Sequence, residues 1–308
     1  MGRISDRVDN VTHVKSDRLV SCPSFPDVIK IEITSRCNYS CSFCGVHKPA
    51  RCSSRDMDPS LVYRLIDESV KMNIKEIGFF LLGEPLLVDN LPKYIKYAKD
   101  KGIEYTFITT NCEYLVPDVF IPVIEAGLDG LKMSCAAGSR ELYKELHNVD
   151  NFDIVISHIK RFGEYLRENN LKKPATAVGS VYYPGKEKDI ELLKEIVGPY
   201  VDEVYTLPLY NQGGLLNGER YEIYGNPGRY DNMVPVVPCW GLFNKVLVRW
   251  DGYLEMCCYG HDERFLVADL NKVKLSEAWL HPKFVELREK HLSNDLKDTI
   301  CAKCQGLI

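Results

Sequence analysis

The reading of this chain turns on the run Val28-Ile29-Lys30-Ile31-Glu32-Ile33, followed within four residues by Cys37-Asn38-Tyr39-Ser40-Cys41-Ser42-Phe43-Cys44. The first half is a short β-branched run of strand type. The second puts three thiols at the strand's C-terminal end. Working outward, further β-branched or aromatic runs at Glu76–Leu81, Tyr105–Thr109, Gly130–Ser134, Ala175–Val181 and Glu203–Thr206 predict strands. Amphipathic stretches between them predict helices at Pro59–Met72, Leu91–Lys101, Val116–Ala126, Ile154–Glu168 and Lys188–Val197. Pro59 and Pro117 sit where a first helical turn tolerates proline, and Gly102 and Gly127 where a helix end favours glycine. Strand and helix in alternation predict an α/β fold around a parallel sheet. Six such units are too few for a closed eight-stranded barrel, so residues 28–210 are expected to form a partial, open (β/α)6 TIM-like barrel.

Beyond Leu209 the alternation stops. A stretch rich in Gly, Asn, Pro and Tyr reads as a linker or substrate-facing loop, residues 211–234. In residues 235–308, Lys245–Trp250 and Tyr253–Cys257 flank Asp251–Gly252, a two-residue hairpin signal. A helix over Leu275–His291 and a terminal Cys301-Ala302-Lys303-Cys304 follow, giving a small hairpin-and-helix module. Residues 1–27 are an N-terminal extension.

Composition narrows the function. The 308 residues are 45% hydrophobic and 27% charged, and 39 basic against 43 acidic residues leave a formal charge of −4. That balance argues against a nucleic-acid partner or an anionic membrane surface. No apolar run approaches the roughly 18–20 residues of a membrane helix, and Met1–Val20 carries no signal-peptide core, so the expected location is cytoplasmic. Twelve cysteines are then the anomaly. In a reducing compartment clustered cysteine is more often a metal ligand or a reactive group than half a disulfide.

Seven of the twelve fall into two sets: Cys37, Cys41 and Cys44, and Cys239, Cys257, Cys301 and Cys304. Three thiolates do not complete a tetrahedral zinc site, whereas a 4Fe-4S cluster held by three leaves one iron open to an exogenous ligand. Four thiolates from the tail close a site that suits either structural zinc or an iron-sulfur cluster. Cys22, Cys52, Cys112, Cys135 and Cys258 remain. Cys258, adjacent to a tail ligand, is expected to point to the opposite side of the strand.

The CxxxCxxC run, with Phe43 before its last cysteine, resembles the radical S-adenosylmethionine superfamily. Leu82-Gly83-Glu84-Pro85 resembles that family's Gly-Gly-Glu-Pro segment, with leucine for the first glycine. Thr110-Asn111-Cys112 resembles its Thr-Asn-Gly, and Ser134 and Gly179-Ser180-Val181 fall at strand ends where the family contacts its cofactor. The resemblance implies S-adenosylmethionine held by Phe43, Gly83, Glu84, Pro85, Asn111, Ser134, Ser180 and Val181, and a 4Fe-4S cluster on Cys37, Cys41 and Cys44. The tail resembles the family's twitch, or shortened SPASM, extension. That implies a second, auxiliary 4Fe-4S cluster on Cys239, Cys257, Cys301 and Cys304, and an external electron donor such as flavodoxin or ferredoxin.

Within the family, the Gly83–Leu87 segment and the four-cysteine tail resemble dehydrogenases of an aminocyclitol alcohol, 2-deoxy-scyllo-inosamine. The implied reaction is removal of a carbinol hydrogen from a small polar, carbohydrate-like substrate, with the electron leaving through the auxiliary cluster. A rival is epimerisation of a sugar or peptide carbon, for which a thiol must return hydrogen; Cys135 and Cys112 lie at strand ends on the cofactor's side. Only 27 residues precede the first strand, too few for a peptide-recognition domain, which favours a small substrate. Asn211, Gln212, Asn217 and Arg220 suit a hydroxyl-rich ligand. A non-catalytic iron-sulfur protein is the alternative of a different class.

Overall fold

The structure is a computed structural model that describes residues 2–45, 55–182, 185–208, 211–214, 237–260 and 263–307. Among them nine strands make one sheet: β1 (Val28–Ile31), β2 (Glu76–Gly78), β3 (Tyr105–Thr110), β4 (Gly130–Ser134), β5 (Ala175–Tyr182), β6 (Glu203–Pro208), β7 (Lys245–Val248), β8 (Tyr253–Glu255) and β9 (Leu266–Asp269). Their order is β6-β5-β4-β3-β2-β1-β7-β8-β9. Every pair from β6 to β7 is parallel, and β8 and β9 continue antiparallel. The α/β partial barrel is therefore present, with one difference. β7 lies parallel to β1, Lys30 opposite Leu247, so the tail extends the barrel sheet instead of standing beside it.

Alternation along the strands sorts the two faces. Ile29, Ile31, Ile77, Ile108, Leu131, Met133 and Val178 are buried in one continuous apolar cluster with the outer helices. These helices are α2 (Pro59–Lys71), α3 (Leu91–Asp100), α4 (Pro117–Glu125), α6 (Phe152–Glu168) and α7 (Glu187–Val197). Each buried aliphatic or aromatic side chain there contributes about 1.5–3 kcal/mol. The opposite face turns Lys30, Phe107, Lys132, Gly179 and Lys245 into the barrel.

Local chemistry sets the helix ends. Asp58 accepts the N–H groups of Ser60 and Leu61 at the start of α2, with Pro59 in the first turn. Gly102 and Gly127 take φ of +92° and +96° just past α3 and α4. The sequence did not reveal α5 (Arg140–His147), which inserts between β4 and α6. The single helix expected at Leu275–His291 is two, α8 (Leu275–Trp279) and α9 (Pro282–Leu292). Pro282 has no N–H to continue a helix, so it starts a new one behind the His281 cap. The hairpin is also longer than expected: Trp250–Gly252 form a three-residue loop with Gly252 at φ +90°.

The N-terminal extension is built into the barrel. Helix α1 (Ile4–Thr12) closes its floor, where Arg7 pairs with Glu76 and lies 3.6 Å over the Tyr105 ring. Ser5 donates its N–H to Glu203 at 2.9 Å. Behind α1, Asn244 donates to the carbonyls of Val11 and His13, both at 2.8 Å. Arg288 is wholly buried, lies 4.0 Å over Trp279, and donates to the carbonyls of Leu242, Trp279 and Ser21. Among the described residues no helix is long and apolar enough to cross a membrane.

Candidate active site

The loop after β1 carries Cys37, Cys41 and Cys44 onto the C-terminal mouth of the barrel. Hydrogen bonds from the neighbouring strand-end loops fix it there. Arg36 pairs with Asp56 at 2.8 Å and donates to the Leu87 carbonyl at 2.7 Å. Asn38 accepts from Asn111 and donates to Glu113, each at 2.8 Å. From α5, the Leu146 carbonyl accepts the Ser42 N–H at 2.9 Å. His147 Nε2 accepts the Ala136 N–H at 3.2 Å, so Nδ1 carries the proton and donates it towards Cys41 Sγ, also at 3.2 Å. Burial drives the His147 pKa down to about 4, which keeps the ring neutral. Sequence reading missed His147 because it missed α5; the signal was the apolar spacing Leu142, Tyr143, Leu146, His147.

The Gly83-Glu84-Pro85 segment is packed under this loop. A Cβ on Gly83 would lie 2.0 Å from the Thr34 carbonyl oxygen, so only glycine fits. Glu84 is buried and receives the Asn111 N–H at 2.7 Å and the Leu86 N–H at 3.0 Å. Desolvation raises its pKa to about 7 against those two hydrogen bonds. Pro85 opens a single 3-10 turn, Pro85–Leu87.

A cavity of about 400 Å³ lies inside the barrel mouth. Its walls include the three cysteines together with Phe43, Gly83, Glu84, Asn111, Ser134, Ser180 and Val181, but not Pro85. Cys135 lines it as well, although its thiol is buried and lies 3.4 Å from the Ala137 carbonyl. Cys112 does not line it. Cys112 is fully buried at φ +69°, a left-handed backbone that favours glycine.

The opposite wall was not legible from sequence. It brings in Lys30, Lys132, Trp240, Lys245 and Cys258. The expectation that Cys258 points away fails because β8 ends at Glu255. Cys257 and Cys258 fall in the turn beyond it, where their thiols meet and Cys258 also contacts Lys245. Burial lowers the pKa of Lys30 to about 7, helped by the charges of Lys245 and Lys132, and that of Lys132 to about 8. The Lys132 stem crosses Gly179, where a Cβ would lie 2.7 Å from its Cε.

The tail cysteines lie near one another behind that wall, on separate segments. Cys239 precedes a 3-10 turn at Trp240–Leu242, Cys257 follows β8, and Cys301 and Cys304 lie in the last turn. Asn211 holds that turn through the carbonyls of Lys303 and Cys304, at 3.3 and 2.9 Å. Gln212 lies in a 3-10 turn, while Asn217, Arg220 and Cys52 fall outside the described residues. Cys257 feels the charges of Cys239 and Cys304, and Cys301 feels those of Cys239 and Cys304. Burial pushes Cys37 up to about 12 and Cys239 to about 11. Half-buried, neighbouring thiols of this kind suit soft-metal centres, which stabilise the thiolate form. Among the described residues no three cysteine, histidine or acidic side chains already converge at ligand spacing.

Comparison with known proteins now defines the class. Residues 31–196 match the Radical SAM superfamily, and residues 239–305 match the iron-sulfur cluster-binding domain SPASM. This chain belongs to the radical SAM superfamily, whose cofactors are a 4Fe-4S cluster and S-adenosylmethionine, and its tail is the SPASM type of cluster-binding module. A probable GTP 3',8-cyclase of Sulfurisphaera tokodaii is 32% identical over 281 residues, 79% of this chain and 84% of the relative. One of Metallosphaera sedula is 29% identical over 76% of this chain and 81% of the relative. The chain spans 66% of the length of an uncharacterized protein of Methanocaldococcus jannaschii, at 29% identity over 67% of this chain. Among solved structures, BtrN in complex with AdoMet and 2-DOIA superposes with a TM-score of 0.60 at 20% identity, covering 91% of this chain and 92% of that one. Streptococcus suis SuiB bound to precursor peptide SuiA gives 0.68 at 16%, covering 87% and 67%. These structural likenesses establish the fold.

Proposed function

We propose that this protein oxidises a secondary alcohol of a small polar substrate by hydrogen-atom abstraction, with Cys37, Cys41 and Cys44 holding the 4Fe-4S cluster that binds S-adenosylmethionine and Cys239, Cys257, Cys301 and Cys304 holding an auxiliary cluster. One observation carries the reading: a single cavity is walled on one side by the first cysteine set and on the other by Cys258, whose neighbour Cys257 belongs to the second. When bound, the cofactor pair supplies a 5'-deoxyadenosyl radical. The chain's residues do the rest. Phe43, Gly83, Asn111, Ser134, Ser180 and Val181 orient S-adenosylmethionine at the mouth, and Glu84 locks the two loops that form its seat. Lys132, two residues below Ser134, is placed to take the hydroxyl proton, since burial leaves its amine partly neutral near pH 8. The auxiliary set, reached past Cys258, would take the remaining electron. Helix α1 closes the floor against water.

The test is anaerobic reconstitution followed by reaction in heavy water with polyols, sugar acids and sugar phosphates. Oxidation gives 5'-deoxyadenosine and a product two hydrogens lighter, with no solvent deuterium at carbon. A product that is isomeric with the substrate in light water and carries one carbon-bound deuterium in heavy water replaces this reading with epimerisation, for which Cys258 and Cys135 reach the cavity and Cys112 does not. A second substrate reading comes from the curated relatives named GTP 3',8-cyclase, and GTP belongs in the same panel.

A further inference from the structure

Lysine is almost never fully buried without an anionic partner. This barrel turns three lysines inward from strands whose other residues, Ser134 apart, are apolar: Lys30 on β1, Lys132 on β4 and Lys245 on β7. Lys245 retains 3% of its exposure, and Lys30 and Lys132 are half-buried. Among the described residues none of the three forms an ion pair with aspartate or glutamate. Their ammoniums rest on rings instead, Lys245 at 3.8 Å from the Trp240 centroid and Lys30 at 4.4 Å from that of Phe80. The cavity's two carboxylates are engaged elsewhere, Glu76 with Arg7 and Glu84 with the N–H groups of Asn111 and Leu86.

Lys30 and Lys245 are diagonal neighbours on one face of the β1–β7 pair, since Val28 stands opposite Lys245 and Lys30 opposite Leu247. Their charges repel, and among the described residues the acidic groups that feel the Lys245 charge are the thiols of Cys258 and Cys239. Holding two ammoniums together in an enclosed space destabilises the fold unless a ligand compensates. An aminocyclitol, itself cationic, would add to the repulsion.

We propose that Lys30 and Lys245 form a seat for an oxyanion of the substrate, a carboxylate or a phosphate, placed at the auxiliary-cluster end of the cavity. This rests on the cavity being the radical site. An anchored oxyanion leaves the substrate's reacting carbon to extend across the cavity towards Lys132 and Ser134. The selected substrate is therefore an acidic sugar, a sugar phosphate or a nucleotide, and neither a neutral polyol nor an aminosugar.

The experiment is calorimetric titration of the anaerobically reconstituted full chain in the presence of S-adenosylmethionine. Probes are pyrophosphate, glucuronate, glucose 6-phosphate and GTP, against glucose, guanosine and glucosamine. At least one acid should bind about tenfold or more tightly than its neutral parent, as charge-assisted hydrogen bonds provide. Preference for glucuronate identifies a carboxylate, and preference for glucose 6-phosphate or GTP a phosphate. Lys30→Gln and Lys245→Gln should each remove about tenfold of that preference and leave the neutral probes unchanged. The same anions should raise the wild-type unfolding temperature, which needs no variant. Equal affinity for acids and parents with pyrophosphate silent, or a preference that survives the double variant, overturns the proposal. So does a change in the auxiliary cluster's midpoint potential with anion affinity untouched, which would assign the ammoniums to balancing cluster charge. Formation of 5'-deoxyadenosine on reduction reports separately on the radical site: its loss in wild type refutes that reading, while anion preference is still measured.

Discussion

Glu84 accepts the backbone N–H of Asn111 at 2.7 Å through one carboxylate oxygen while the other accepts that of Leu86 at 3.0 Å. The side chain thereby ties the loop after β2 to the loop after β3. Glutamine keeps the shape but offers one acceptor, so Glu84→Gln leaves one buried N–H facing an NH₂ group. The expected cost is about 1–3 kcal/mol of stability, read by denaturant unfolding. Weaker S-adenosylmethionine binding should accompany it, because both loops contribute to the proposed seat. A variant as stable as wild type would show that the strap contributes nothing to the fold.

Two 4Fe-4S clusters correspond to about eight irons per chain after anaerobic reconstitution. Replacing Cys37, Cys41 and Cys44 together by alanine should leave about half of the iron and abolish 5'-deoxyadenosine formation. Cys301→Ala with Cys304→Ala should also halve the iron but spare the cleavage reaction. A tail that takes up one zinc and no iron would remove the proposed electron exit. His147→Phe should keep the ring stacking of α5 while removing the hydrogen bond to Cys41, and a shifted cluster midpoint potential is the readout.

What the sequence made legible was periodic or chemically distinctive. From Val28 to Pro208 β-branched or aromatic runs alternate with amphipathic stretches, and cysteine spacing marks both thiol sets without reference to tertiary structure. What it concealed depends on partners far apart in the chain. Parallel pairing of β7 with β1 leaves no local mark, because Lys245–Val248 reads equally well as half of a hairpin. Helix α1 reads only as part of a polar N-terminal extension until Arg7 meets Glu76 inside the barrel. The inward lysines went unread because the residues that make them a group come from β1, β4 and β7, far apart in the chain. Cys258 was assigned to the wrong side because strand alternation was carried one turn past the end of β8.

Thiol replacement separates the two hydrogen fates. If the reaction is oxidation, Cys258→Ala and Cys135→Ala should still turn over substrate, with no solvent deuterium bound to carbon in the product. If either thiol returns hydrogen, its alanine variant still makes 5'-deoxyadenosine but no longer forms the epimer. Cys112→Ala should leave the reaction course unchanged under both readings, since its thiol is buried away from the cavity wall. Deuterium content by mass spectrometry decides among these outcomes.

The inward lysines also predict how stability varies with pH. Lys30 titrates near 7 in the folded chain and Lys132 near 8, both well below an exposed lysine, because burial penalises the ammonium. For a base whose folded pKa is lowered, the unfolded state binds more protons between the two values. The penalty is therefore complete below the folded pKa and fades as pH rises towards the unfolded one. Lys30→Met removes the charge and keeps the apolar length of the stem. At pH 6.5 this variant should melt a few degrees above wild type, and the gap should narrow steadily up to about pH 9.5. Differential scanning fluorimetry of the anaerobically reconstituted proteins measures both curves. A gap that stays constant across that range would mean Lys30 keeps an exposed lysine's pKa, and that its ammonium is solvated rather than confined in the barrel.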